Sequence, residues 1–154
     1  MDHKQKIELI TEACTLIFNL KKIDCEDGYF HFDLDCVSSG EFLGFNSKTF
    51  FCSFSINDFE RLIQYIDTHC QILLEGDGWY ESPVYVPTDF DLQIQCFDGE
   101  IVNYQDGCLS IRILFNCGPP NEGQSNAYIG FESVIDVINL REFRDDIATL
   151  VGHP

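Results

Sequence analysis

The chain has 154 residues, enough for one domain that buries roughly 70% of its unfolded surface, and 45% apolar content with 14 Phe and 6 Tyr argues against disorder. Nine Lys and Arg against 26 Asp and Glu give a formal charge of −17, which disfavours nucleic acid as a direct partner and points to a basic one. In chain order, Ile7, Ile10, Cys14, Ile17 and Phe18 recur at helical spacing and predict a first helix over Asp2–Leu20. After the turn residues "DCEDG", the run "YFHFDLDC" alternates, with Phe30, Phe32, Leu34 and Cys36 on one face and Tyr29, His31, Asp33 and Asp35 on the other, as in a half-buried strand. "EFLGFNSKTFFCSF" reads as a hairpin with "NSK" at its tip and Phe50, Cys52 and Phe54 on one face.

The segment "FSINDFERLIQYIDTH" predicts a helix. Ser55 is its N-cap with Asp58 three residues on, Phe54 and Phe59 form a hydrophobic staple, and Phe59, Leu62, Ile63, Ile66 and Cys70 make the buried face. A linker rich in Gly, Pro and acid follows. Then "DLQIQCF" and "CLSIRILF" alternate and pair antiparallel across "DGEIVNYQDG", with Leu92, Ile94, Cys96, Leu109, Ile111, Ile113 and Phe115 inward. "CGPPNEGQSN" is a loop and "AYIGFESV" resumes the sheet. "NLREFRDDIATLVG" closes the chain as a docked helix, with Asn139 and Glu142 as cap partners and Leu140, Phe143, Ile147, Leu150 and Val151 as an apolar stripe ended by Gly152. Twice, a block of alternating strands runs into a capped amphipathic helix. The expectation is a single α+β domain over residues 1–154, with a mainly antiparallel sheet in one or two layers and three amphipathic helices.

The chemistry-bearing residues do not assemble into a known catalytic motif. G-x-S-x-G, P-loop, G-x-G-x-x-G and H-E-x-x-H patterns are all missing from the sequence. Eight Cys and four His have no zinc-ligand spacing, so no metal or cofactor is expected, and a charged N-terminus without an apolar core region disfavours secretion and disulfides. Reduced, buried thiols in a cytoplasm are expected. His69 and Cys70 are adjacent on a helix and diverge by about 100°, so a packed Cys beside a surface His is the simpler reading. Asp33 with Asp35, and Asp89 with Asp91, stand at i and i+2; a metal-dependent hydrolase is the minor reading and a solvated strand face the major one. His31 is expected as a surface strand residue.

Charge and aromatic placement say more. Between Leu62 and Leu140 there are 12 acids and one base, Arg112. The stretch "LEGDGWYESPVYVPTDFDL" holds the sole Trp, two Tyr, two Pro and no Lys or Arg. Glu75, Asp77, Trp79, Tyr80, Glu81, Tyr85, Asp89 and Asp91 are therefore the candidate partner-binding residues, rings supplying contact area and acids supplying steering and phosphate mimicry. The competing reading has Trp79 plugging the core and the acids solvating the loop.

From Glu41 to Val151, the strand into "SINDFERLIQYI", the strands "DLQIQCFDG" and "GCLSIRILFNC", and "YIGFESVIDVINLREFRDDIATLV" resemble small acidic immunity proteins of bacterial polymorphic toxins, in particular the immunity protein of the wall-associated contact-dependent toxin. The resemblance implies a cytoplasmic, non-enzymatic protein that binds a cognate toxin domain and occludes its active site. Such a partner is expected to be basic and nuclease-like; membrane and nucleic acid are not expected partners, and homo-oligomerisation is compatible with the same features. No functional residue carries over by motif. The alternative is an acidic interaction or adaptor module without a toxin partner.

Overall fold

Alternation rather than helical spacing decides the N-terminal segment. The computed structural model describes residues 6–39, 48–76, 79–117 and 127–152. Where a helix over Asp2–Leu20 was expected, β1 (Lys6–Ile10) and β2 (Cys14–Asp24) form an antiparallel hairpin. Ile7, Leu9, Cys14, Leu16 and Phe18 are buried, and they follow a period of two on each side of the turn at Thr11–Ala13. Thr11 closes that turn: its Oγ1 donates to the Cys14 carbonyl at 2.7 Å and accepts the Cys14 amide at 3.1 Å. Ile7, Cys14 and Phe18 fit both periods, whereas Ile10 and Ile17 of the helical stripe turn outward and Leu9 and Leu16 are buried in their place; β-branched Ile7, Ile10, Thr15 and Ile17 favour the pleated period.

The hairpin belongs to a four-stranded antiparallel meander, sheet A, completed by β3 (Tyr29–Ser38) and β4 (Lys48–Ser55). Phe30, Phe32, Leu34 and Cys36 face inward as the pattern predicts, and so do Cys52 and Phe54. Of the expected hairpin within "EFLGFNSKTFFCSF", the second strand is β4, which starts at Lys48 of the predicted tip and pairs with β3, whereas Asn46, Ser47 and the strand before them lie outside the described residues.

Helix α1 (Ile56–Glu75) starts as its sequence dictates. Ser55 Oγ accepts the Asp58 amide at 3.1 Å while the Ser55 amide donates to Asp58 Oδ2 at 2.9 Å, a reciprocal capping box of about 1 kcal/mol. Phe54 and Phe59 stack at 4.8 Å, the predicted staple. β5 (Leu92–Asn103), β6 (Asp106–Asn116) and β7 (Tyr128–Asp136) form sheet B, a three-stranded antiparallel meander. β5 and β6 pair as expected, and much of "DGEIVNYQDG" is strand, turned at Tyr104 and Gln105.

Helix α2 (Val137–Leu150) is capped three residues before the predicted Asn139, at Asp136, which makes no side-chain cap bond. Asn139 is inside the helix. Val137, Leu140, Phe143 and Ile147 share one buried face, so packing extends the helix back past the Asn139 signal. Gly152, at φ +79°, follows its C-terminus. Among the described residues there are two helices, against three expected.

Both units run three consecutive antiparallel strands into a helix, β2–β3–β4–α1 and β5–β6–β7–α2. The helices pack on each other, α1 also on β5 and β4, and α2 on β1, β6 and β7. Phe50 stacks on Phe115 at 4.4 Å between the sheets, and the Glu12 amide donates to the Val134 carbonyl at 2.9 Å. One hydrophobic cluster draws on both sheets and both helices. None of the described helices is long and apolar enough to cross a membrane.

Candidate functional site

The acidic, aromatic connection of residues 79–91 is a strap fastened along two elements. Its backbone pairs with the open edge of β5: the Ser82 amide donates to Cys96 O at 3.0 Å, and Tyr85 and Ile94 exchange amide bonds of 2.7 and 3.0 Å. An exposed strand edge is thereby covered over that stretch. On the α1 side, Asp58 is the hub. Its fully buried carboxylate accepts from the Thr88 amide at 3.0 Å, Thr88 Oγ1 at 2.8 Å and Arg61 at 2.7 Å, besides the bonds to Ser55. Burial alone would raise the Asp58 pKa, but these donors outweigh it and hold the carboxyl below its ordinary value. Arg61 also donates to Val86 O at 3.2 Å.

His69 is the second fastening. The expectation of a surface histidine is corrected, because its side chain is buried. Nε2 donates to Phe97 O at 2.9 Å, so in the neutral ring Nδ1 accepts the Ser82 hydroxyl at 2.7 Å. Burial holds its pKa below the ordinary value. Cys70 is packed as expected, and burial raises its thiol to about 11, which leaves it protonated at neutral pH. All eight Cys are free; Cys14, Cys36, Cys52, Cys70 and Cys96 are buried, but Cys25, Cys108 and Cys117 are exposed, contrary to a uniformly buried set.

The eight candidate residues divide three ways. Trp79 is 81% exposed, so it does not plug the core, and Glu75 and Glu81 are exposed as well. Tyr80 is half-buried with its ring 5.4 Å from His69, and Glu81 accepts from Gln95 at 3.0 Å. Tyr85 is corrected from contact residue to anchor: it is buried and its hydroxyl donates to the Asp58 carbonyl at 2.7 Å. Asp89 is exposed, whereas Asp91 is half-buried and accepts the Ser53 amide at 2.8 Å on the edge of β4. They are no strand-face pair, since Asp89 lies in the turn before β5. Asp33 and Asp35 do share a strand face, where Lys21 lies 3.0 Å from Asp33 and Asn19 donates to Asp35 at 2.9 Å. Asp77 lies outside the described residues.

Sequence reasoning passed over Phe90 and Phe51. Phe90 is 53% exposed and takes a left-handed φ of +57°, a conformation costly for a bulky side chain and held by its Pro87 and Asn116 bonds. Phe51 is 61% exposed on the outer face of sheet A, where His31 lies parallel to it at 5.9 Å and to Tyr29 at 6.3 Å. His31 is therefore a surface strand residue, as expected, within a ladder of three rings. An aromatic at an outward position of an alternating strand was the available signal for Phe51.

Between α1 and the strap runs an open groove of about 450 Å³, walled by Tyr65, Tyr80, Ser82, Val84 and Arg61. A second recess of about 420 Å³ lies beside Tyr104 and Arg141, where Arg141 and Arg144 both bond Asp67 and join the helices. Among the described residues no three His, Cys, Asp or Glu side chains come together as a metal site. A scan against protein-family models matches none of them, and a search of curated proteins returns no match.

Proposed function

We propose that the protein is a non-catalytic inhibitor that binds a cognate basic toxin domain, of the immunity type, and blocks that domain's active site. The observation that carries this reading is the strap. Buried bonds to Asp58, His69 and β5 fix its inner side, while Trp79, Val84 and Phe90 stand outward among Glu81 and Asp89. A fixed backbone with exposed rings loses little conformational entropy on binding, so more of the contact energy appears as affinity. The acids steer a cationic partner and oppose the Lys and Arg that a nuclease uses for phosphate. The groove beside Tyr65 and Tyr80 would receive a side chain projecting from that partner.

The test is co-expression with the C-terminal domain encoded immediately upstream of this protein's gene. Wild-type protein should restore growth and co-purify with that domain. A Trp79→Ala, Phe90→Ala double variant should weaken binding by about 100-fold or more in Kd, two exposed anchors at ~1.4–2 kcal/mol each, while keeping its thermal midpoint. Undiminished rescue by that variant would remove the strap from the interface, and a harmless upstream domain would remove the inhibitor reading.

A further inference from the structure

We propose that the outer face of sheet A carries an arginine-docking site, formed by the ladder of Tyr29, His31 and Phe51 with Asp33 and Asp89 at its rim. The proposal deepens the inhibitor reading and rests on it for the identity of the partner. Tyr29, His31 and Asp33 project from the same side of β3, and Phe51 stands directly across from Asp33 on β4. The His31 ring is near-parallel to its neighbours, at 17° to Tyr29 and 17° to Phe51. It is also held in place. His31 Nδ1 lies 2.8 Å from Ser53 Oγ, and the Ser53 amide is bonded to Asp91 at the end of the strap. The ladder is thus continuous with the strap through a hydrogen-bonded chain.

The choice of occupant follows from charge. Ring faces attract cations, and the rim carries Asp33, across from Phe51, and Asp89, whose charge acts on Tyr29, in a chain of net charge −17. A second copy of this chain would set like charges against each other. An apolar segment would desolvate Asp89 and the Lys21–Asp33 pair and bring no charge to compensate. A cationic side chain meets a ring face and a rim carboxylate at once. Guanidinium is favoured over ammonium because it is planar, stacks on a ring face, sheds water more readily and can bond a carboxylate through two N–H groups. Lys21, exposed beside Asp33, is the group it would displace.

The experiment uses the full chain, isotopically labelled, titrated with a poly-arginine and a poly-lysine peptide of equal length in about 150 mM NaCl. Amide shifts should concentrate at residues 29–33 and 50–53, with the arginine peptide at least about fivefold tighter. Phe51→Ala, at an exposed position, should remove that preference and leave the thermal midpoint unchanged. Equal affinity for the two peptides, shifts spread over all the acids or gathered at Trp79, or an unaltered preference in Phe51→Ala would each overturn the site. Failure of growth rescue with a normal arginine preference would overturn the inhibitor reading alone.

Discussion

Asp91 shows how one side chain couples the strap to the sheet at a cost. Burial is the main cause that pushes its pKa from 3.8 up to about 6, with Asp89 and Asp58 adding repulsion and the Ser53 amide opposing them. Between those two values the folded protein keeps a proton that the unfolded chain has released. Its contribution therefore favours folding at low pH, declines as pH rises through that window and is lowest above it. Two units correspond to roughly 3 kcal/mol as an upper figure. Asp91→Asn keeps an oxygen for the Ser53 amide and removes the charge. Urea unfolding should find the variant more stable than wild type by about 1–3 kcal/mol at neutral pH, with the advantage shrinking toward zero near pH 4. A difference independent of pH would show that the carboxylate is not penalised by burial. His69 works with the opposite sign: its depressed pKa means the unfolded chain protonates first, so its contribution is lost as pH falls below the ordinary 6.5.

At the scale of elements, sheet B depends on close backbone approach. A Cβ on Gly130 of β7 would lie 1.8 Å from the Ile113 carbonyl oxygen of β6, too near for a side-chain rearrangement to relieve. Gly130→Ala should therefore cost on the order of 3 kcal/mol and strip exchange protection from β7 amides, while Gly28→Asn, with open space and φ +69° at the β2–β3 turn, should be near neutral. Equal effects of the two would show that β7 yields easily. The elements legible in sequence are those whose signals are local: the Ser55–Asp58 box, the Phe54–Phe59 staple and the alternation of β3, β5 and β6. The N-terminal hairpin was not, because Ile7, Cys14 and Phe18 satisfy two periods and the pairing with β3 that selects one is non-local. The candidate site was legible in part for a related reason. Composition found the Trp79 strap, but the burial of Tyr85 follows from an α1 carbonyl, and the Tyr29–His31–Phe51 ladder exists only once β3 and β4 are in register.

For the molecule as a whole, the charge of −17 makes salt a probe with two opposite readouts. Folding gathers carboxylates that the extended chain keeps apart, so self-repulsion weakens the compact state. The half-buried bonds of Arg141 and Arg144 to Asp67 join the two helices and are screened less than exposed acids. Raising NaCl from about 20 to 500 mM shortens the screening length well below 10 Å and removes repulsion between exposed carboxylates first. The thermal midpoint should rise by roughly 2–4 °C if about 1 kcal/mol is recovered. Affinity for a basic partner should fall over the same range, since its steering field is screened by the same ions. General salting effects would move folding and binding in the same direction, so opposite slopes identify electrostatics as the cause of both. A midpoint that drops as NaCl rises would mean that favourable ion pairs outweigh the repulsion, and binding that tightens with salt would mean that the partner is held by its apolar contacts on Trp79 and Phe90 rather than by the acids around them.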